Sequence, residues 1–194
     1  MLDTYGRKYM NPFINYGAMF FGKLGLTPNN VTVLALIMGI TTSVFIYFDY
    51  KYIAIIVLWI SGYLDAVDGA MARRLNKTSS FGTVMDITFD RIVEISMILS
   101  LALKIKDANF NLLILASAIL ISMTIFLTVG AVSEKKGVKS FYYQAGVAER
   151  TEGFILFSLM ILFTQWMPLI TNIFSIMVIV TALQRLLEAK KILN

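Results

Sequence analysis

Six apolar runs, at about 30–48, 52–74, 82–104, 109–133, 151–166 and 168–189, alternate with short polar loops along the chain. A bilayer's hydrocarbon core is crossed by roughly 20 helical residues, and inside it every backbone N–H and C=O must pair within its own segment. The pattern therefore predicts an all-α integral membrane protein with six transmembrane helices over 30–189 in a single domain, 1–194. The fifth run is short and meets the sixth at Met167-Pro168. With 58% hydrophobic residues and a mean hydropathy of +0.74, the chain has more apolar content than a soluble core explains. Residues 1–26 are different. Tyr5, Tyr9, Phe13, Ile14, Tyr16, Phe20 and Phe21 interleave with Arg7, Lys8 and Lys23, the pattern of an amphipathic juxtamembrane helix lying in the headgroup region. No cleavable leader is visible, so the chain is expected to begin at Met1.

Charge sets the expected orientation. Arg7, Lys8, Lys23, Arg73, Arg74, Lys77, Lys135, Lys136, Lys139, Arg150, Arg185, Lys190 and Lys191 fall on one side of the six runs, and Lys51, Lys104 and Lys106 on the other. The positive-inside rule places both termini and the loop at 74–81 in the cytoplasm. The net charge of +5 is spread over several loops, which favours anionic headgroups and phosphorylated substrates over nucleic acid. Histidine and cysteine are both absent, which removes disulfides, thiol catalysis and nearly every zinc motif. A general base must then be a carboxylate, a lysine or a tyrosine.

Between residues 65 and 90 four aspartates interrupt helix-forming apolar sequence: Asp65, Asp68, Asp86 and Asp90. The first two are three residues apart and the last two four apart, so each pair shares a face of its own helix, and the polar RRLNKTSSFG lets the helices turn back on each other. Uncompensated, four carboxylates in a membrane would cost on the order of 10 to 14 kcal/mol on insertion scales. Hard oxygen ligands suit Mg²⁺, Mn²⁺ or Ca²⁺, and two such cations would neutralise the cluster and leave a place for a phosphate or pyrophosphate. Gly69 and Ala72 keep the neighbouring surface low, Arg73 supplies a guanidinium one turn further on, and Gly82 opens the second helix with another small residue.

Asp65, Asp68, Gly69, Ala72, Arg73, Gly82, Asp86 and Asp90, eight residue types at fixed spacing across 26 positions, resemble without departure the signature of the CDP-alcohol phosphotransferase family of membrane enzymes. The resemblance implies that Asp65, Asp68, Asp86 and Asp90 hold two divalent cations, Mg²⁺ or Mn²⁺. It implies further that Asp90 acts as the base toward the acceptor hydroxyl, and that Gly69, Ala72, Arg73 and Gly82 contact the CDP moiety. Pro28, Asn29 and Thr32 stand where family members commonly carry a Pro-Asn-x-aliphatic-Thr segment lining the nucleotide pocket, although Thr27 as N-cap and Pro28 at N1 also read simply as a helix start. A homodimer, through the third and fourth spans, is implied in the same way.

The expected reaction moves a phosphatidyl-type group from a CDP-linked lipid to the hydroxyl of a small polar acceptor, releasing CMP. The loop at 133–153 is basic, and Ala148-Glu149-Arg150-Thr151-Glu152 resembles the inositol-phosphate branch of the family. Lys135, Arg150 and Arg185 occupy places comparable to that branch's acceptor-phosphate ligands, so inositol phosphate or glycerol 3-phosphate ranks above serine, choline or ethanolamine. Arg91 and Glu94 read as structural charge balance, and Gly17, Gly22, Gly39 and Gly130 as sites of close helix approach. A cation transporter built on buried aspartates is the rival reading; it leaves Gly69, Ala72, Arg73 and Gly82 without a role.

Overall fold

The structure, a computed structural model, describes residues 2–133 and 146–193, with backbone alone for 2–8. All regular structure among the described residues is helical: α1 Leu2–Lys23, α2 Pro28–Tyr47, α3 Lys51–Arg74, α4 Ser80–Lys104, α5 Asn109–Val132, α6 Arg150–Leu162 and α7 Met167–Leu193, with short 3₁₀ turns at Lys106–Ala108 and Thr164–Trp166. Four stretches are long and apolar enough to cross a membrane: Pro28–Tyr47, Lys51–Arg74, Lys106–Val132 and Thr164–Leu193. In α4 the apolar run carries Asp86, Asp90, Arg91 and Glu94, and α6 has 13 residues, short of the roughly 20 a perpendicular crossing takes. The chain is thus a helical protein with several membrane-compatible spans. It divides into two compact units, one of Gly6–Lys104 and one built on α5, α6 and α7.

In the first unit α2 packs against both α3 and α4. Its start follows from its sequence. Thr27 is extended and accepts from the Asn30 N–H, and Pro28 at the first position needs no hydrogen-bond partner for its nitrogen. Helices α1, α2 and α3 all end in the same way, with a left-handed residue just beyond the cap: Gly25 (φ 75°), Asp49 (φ 65°) and Asn76 (φ 51°). The next residue's N–H then reaches back five positions along the chain, Leu26 to the Phe21 carbonyl, Tyr50 to Phe45 and Lys77 to Ala72. This satisfies carbonyls that the helix end would otherwise orphan and reverses the chain tightly. At the far end of the unit Lys104 pairs with Asp49 and donates to the Ile46 carbonyl, tying the end of α4 to the end of α2.

Small residues let these helices approach closely. A Cβ on Gly39 would lie 2.3 Å from Val93 Cγ2 on α4 and 3.0 Å from Ser61 Oγ on α3, so α2 touches both neighbours at one level. Ser61 Oγ donates to the Ala35 carbonyl, Ser100 Oγ to the Ser43 carbonyl, and the Ser43 and Ser96 hydroxyls meet at 2.7 Å. Hydroxyls replace the hydrophobic effect as cohesion where the surroundings are themselves apolar. Helix α1 lies on this scaffold through Ile14, Ala18 and Phe21, with Gly17 fitted under Tyr63, whose hydroxyl donates to the Phe13 carbonyl. Around Gly22, in contrast, the space is open, so the expectation of a close contact there is not met.

The second unit is built on α7, which contacts both α5 and α6. Leu112, Leu115, Ala118, Ser122, Phe126 and Val129 form the buried stripe of α5 at three- and four-residue steps. Phe157 on α6 meets Phe174 on α7 edge to face at 5.3 Å. Helix α6 stops at Leu162, earlier than the 151–166 run suggests, because a 3₁₀ turn at Thr164–Trp166 reverses the chain before α7; Pro168 is tolerated in the first turn of α7.

Candidate active site

Each carboxylate is placed by helix periodicity. Asp65 and Asp68 lie in the last three turns of α3, and Asp86 in the second turn of α4, whose start is fixed by Ser79. The Ser79 hydroxyl accepts from the Gly82 N–H at 3.0 Å, and its carbonyl accepts from the Thr83 N–H and hydroxyl. Because α3 and α4 both pack on α2 and are joined by a five-residue turn, their paired faces converge: carboxylate oxygens of Asp65, Asp68 and Asp86 lie within 4.8 Å of one another. Asp68 is buried and the other two half-buried. Asp90 is half-buried one turn further along α4, outside that trio but within electrostatic reach of Asp86.

The trio borders a cavity of about 300 Å³. Pro28, Asn29, Thr32, Gly69, Ala72, Arg73 and Gly82 all line it, which brings together every residue the sequence assigns to the nucleotide side. Two glycines shape it. The Arg73 guanidinium folds back along α3 so that its Nη1 would be 3.3 Å from a Cβ on Gly69, and a Cβ on Gly82 would stand 3.1 Å from Ser79 Oγ and 3.6 Å from Asn29 Oδ1. Thr32 is less available than its position suggests, since its hydroxyl is buried and donates to the Pro28 carbonyl. Lys77, Thr78 and Ser79 also line the cavity, although the sequence reading counts Lys77 only as a topogenic charge. The signal for them was the Asn76 turn, since asparagine tolerates the left-handed conformation that folds the following residues back.

The donor set fits a hard divalent cation. Three carboxylates with oxygens spread over at most 4.8 Å match the span of ligands around an ion bound at roughly 2.0–2.6 Å, and like charges brought this close require a compensating positive charge.

The remaining candidates belong to the second unit or to neither. Arg185 is buried on α7. Its Nη1 lies 3.1 Å from Ser122 Oγ and 3.4 Å from the Ser122 carbonyl, and its guanidinium carbon is 4.9 Å from the centre of the Phe126 ring. Arg150 opens α6 and stacks on Phe154 at 5.4 Å. The segment leading into α6 is docked on α7, where the Ala148 N–H donates to Thr181 Oγ1 at 2.8 Å. Lys135 lies outside the described residues, as do Lys136 and Lys139. Arg91 forms an ion pair with Glu94, consistent with its reading as charge balance.

An apolar helical protein that gathers carboxylates, small residues and an arginine around a phosphate-sized cavity has the makings of a membrane-embedded, metal-dependent phosphotransfer enzyme. Comparison with known proteins gives the family. Residues 25–184 match the model for CDP-alcohol phosphatidyltransferase, and the chain belongs to that family. It is 30% identical to archaetidylinositol phosphate synthase of Pyrococcus horikoshii over 98% of this chain and 97% of the relative, and 30% identical to phosphatidylinositol phosphate synthase of Streptomyces avermitilis over 48% of this chain and 39% of that one. Among solved structures, phosphatidylinositol phosphate synthase of Mycobacterium tuberculosis with CDP-DAG bound superposes with a TM-score of 0.73 at 21% identity, covering 89% of this chain and 90% of that one. A second crystal structure of the same enzyme, in complex with manganese and citrate, gives 0.73 at 22% identity over 89% and 87%. The fold is shared with these structures, and the chain is a CDP-alcohol phosphotransferase.

Proposed function

We infer that the protein transfers a phosphatidyl-type group from a CDP-linked lipid, CDP-diacylglycerol or a relative of it, to the hydroxyl of a small phosphorylated acceptor such as inositol phosphate or glycerol 3-phosphate, releasing CMP in phospholipid biosynthesis. The observation that carries this reading is that Asp65, Asp68, Asp86, Gly69, Ala72, Arg73 and Gly82 all border one cavity. Asp65, Asp68 and Asp86, with Asp90, would hold two divalent cations. Bound there, Mg²⁺ or Mn²⁺ would supply charge neutralisation and Lewis acidity toward the donor phosphate. Gly69 and Ala72 leave room for the pyrophosphate against the backbone, and Arg73 binds its oxygens with a planar guanidinium. Asn29, close to Gly82, faces the nucleoside end with Pro28. Asp90 takes the acceptor proton as the new P–O bond forms, and the old P–O bond breaks with its electron pair leaving on CMP.

Arg150 and Arg185, with Lys135, are the ligands we assign to the acceptor's phosphate. Support comes from the burial of Arg185 with its guanidinium oriented by Ser122 and Phe126, and from relatives named as inositol-phosphate-type synthases. The reading includes six spans in one membrane domain, with α4 and α6 as the third and fifth, both termini in the cytoplasm and a homodimer. Helix α1 lies in the interface, with Tyr9, Phe13, Tyr16 and Phe20 exposed to lipid. The test is CMP release by the purified protein in detergent with Mg²⁺ or Mn²⁺ and CDP-diacylglycerol, against inositol phosphate, glycerol 3-phosphate, inositol, serine, choline and no acceptor. Release driven by one phosphorylated acceptor supports the assignment; release driven by serine or choline moves the acceptor to the neutral branches and removes the role given to Arg150 and Arg185.

A further inference from the structure

Lys77 brings to the cavity a positive charge that is not among the eight residues of the 65–90 signature. Its position follows from how α3 ends. Leu75 caps the helix, Asn76 takes a φ of 51°, and the Lys77 N–H donates to the Ala72 carbonyl at 2.9 Å while the Asn76 N–H reaches the Arg73 carbonyl at 3.4 Å. That double closure returns the chain over the last turn of α3, the turn that carries Ala72 and Arg73. Lys77 thus borders the same cavity as Arg73, with Thr78 and Ser79 following along the rim to the start of α4.

Resting on the donor assigned above, the charges can be counted. The four aspartates carry four negative charges, which two divalent cations offset. The pyrophosphate of a CDP-linked lipid is a diester with two further negative charges, and Arg73 alone balances one of them. We propose that Lys77 is a phosphate-binding residue of the donor site, the second cation facing the pyrophosphate, and that it neutralises the charge that collects on CMP. When the P–O bond to the lipid phosphate breaks, its electron pair stays on the CMP phosphate, which becomes a monoester carrying close to two charges at neutral pH. A lysine suits that change, because its ammonium is a compact point charge on a flexible stem and can follow the charge, whereas the guanidinium of Arg73 lies along its own helix over Gly69.

The test separates phosphate from base. Binding of CMP and of cytidine to the intact protein in detergent with Mn²⁺ is measured by competition for wild type, Lys77→Ala, Lys77→Gln and Lys77→Arg. Loss of one exposed ionic contact should weaken CMP by about two- to fivefold in the Ala and Gln variants and make its affinity less sensitive to salt, with cytidine unchanged and Lys77→Arg close to wild type. Unchanged CMP affinity in Lys77→Ala, or an equal loss for cytidine, would overturn the proposal. Turnover of CDP-diacylglycerol by the wild type is scored separately: its absence counts against the proposed donor, while the difference between CMP and cytidine still decides the role of Lys77.

Discussion

Replacing Gly69 with alanine should push stability and activity in opposite directions. The added methyl lies on the cavity side of α3, 3.3 Å from Arg73 Nη1, 3.9 Å from Nη2 and 4.0 Å from Cζ. None of these atoms is backbone, so the guanidinium moves aside by a few tenths of an ångström and the helix is undisturbed. Alanine in a helix interior is favoured over glycine by roughly 0.8–1.0 kcal/mol, so the unfolding temperature in detergent should hold or rise. The displaced guanidinium loses the geometry for a charge-assisted contact to the donor phosphate, a contact of about 1.5–3 kcal/mol, or roughly 10- to 150-fold in kcat/KM for the CDP-linked lipid. The assay is CMP release against donor concentration, alongside thermal unfolding. Arg73→Ala should show a similar loss, and the double variant should lose less than the sum of the two, because part of the Gly69→Ala effect acts through the guanidinium that Arg73→Ala removes. Additive losses, or a Gly69→Ala protein that unfolds early with normal kcat/KM, would refute the reasoning.

Asp68→Asn should lose both turnover and Mn²⁺-dependent binding of CMP, whereas Asp90→Asn should abolish turnover with binding largely intact; equal behaviour of the two variants would sink the division of labour between them. Gly39→Ala places a methyl 2.3 Å from a stiff valine, so it should destabilise the Gly6–Lys104 unit by about 1–3 kcal/mol, and Val93→Ala in the same chain should restore most of the loss in a thermal-unfolding cycle. Asp49 lies in the turn between α2 and α3, where the hydrogen bond from Lys104 holds its carboxyl below the ordinary aspartate range. Its contribution is therefore present above the unfolded pKa of roughly 3.9 and is lost as pH falls through the lowered folded value. Being exposed, the pair contributes under about 1 kcal/mol, so Asp49→Asn should flatten the acid limb of the stability profile only slightly.

The sequence states the chemistry of the site more fully than its outline. Spacing alone pairs Asp65 with Asp68 and Asp86 with Asp90, and the two pairs do face each other closely enough to bring three of the four together. Asn29 and Gly82 are also legible, one as a helix-start residue and one as a gap. What periodicity does not reveal is the turn between the helices. Leu75 to Ser79 has no apolar rhythm to read, and its shape depends on Asn76 adopting a left-handed conformation and on Ser79 capping α4, so Lys77 is invisible as a lining residue until the backbone is seen. The end of α6 was obscured for another reason: Thr164 and Gln165 are too brief a polar break in the 151–189 apolar stretch to mark a helix end, and only the backbone shows that the hydrogen-bond ladder breaks there. Arg185 illustrates a third gap. Its type and position suggest a ligand, but its orientation is set by Ser122 and Phe126 on α5, more than fifty residues away in sequence, where hydropathy records only another apolar run.

The way α2 carries both carboxylate helices has a consequence for metal binding itself. Helices α3 and α4 each lie against α2, while their direct approach to one another is slight beyond the aspartates. They resemble two leaves of a book bound along one spine, and an ion shared by Asp65, Asp68 and Asp86 would be a clasp across the open edge. A clasp of that kind favours the closed book, so affinity for the ion and resistance of this unit to heat are two readings of one equilibrium. Residues deep on the spine, such as Gly39 and Ser43, would then tune how tightly such an ion is held without coming near it.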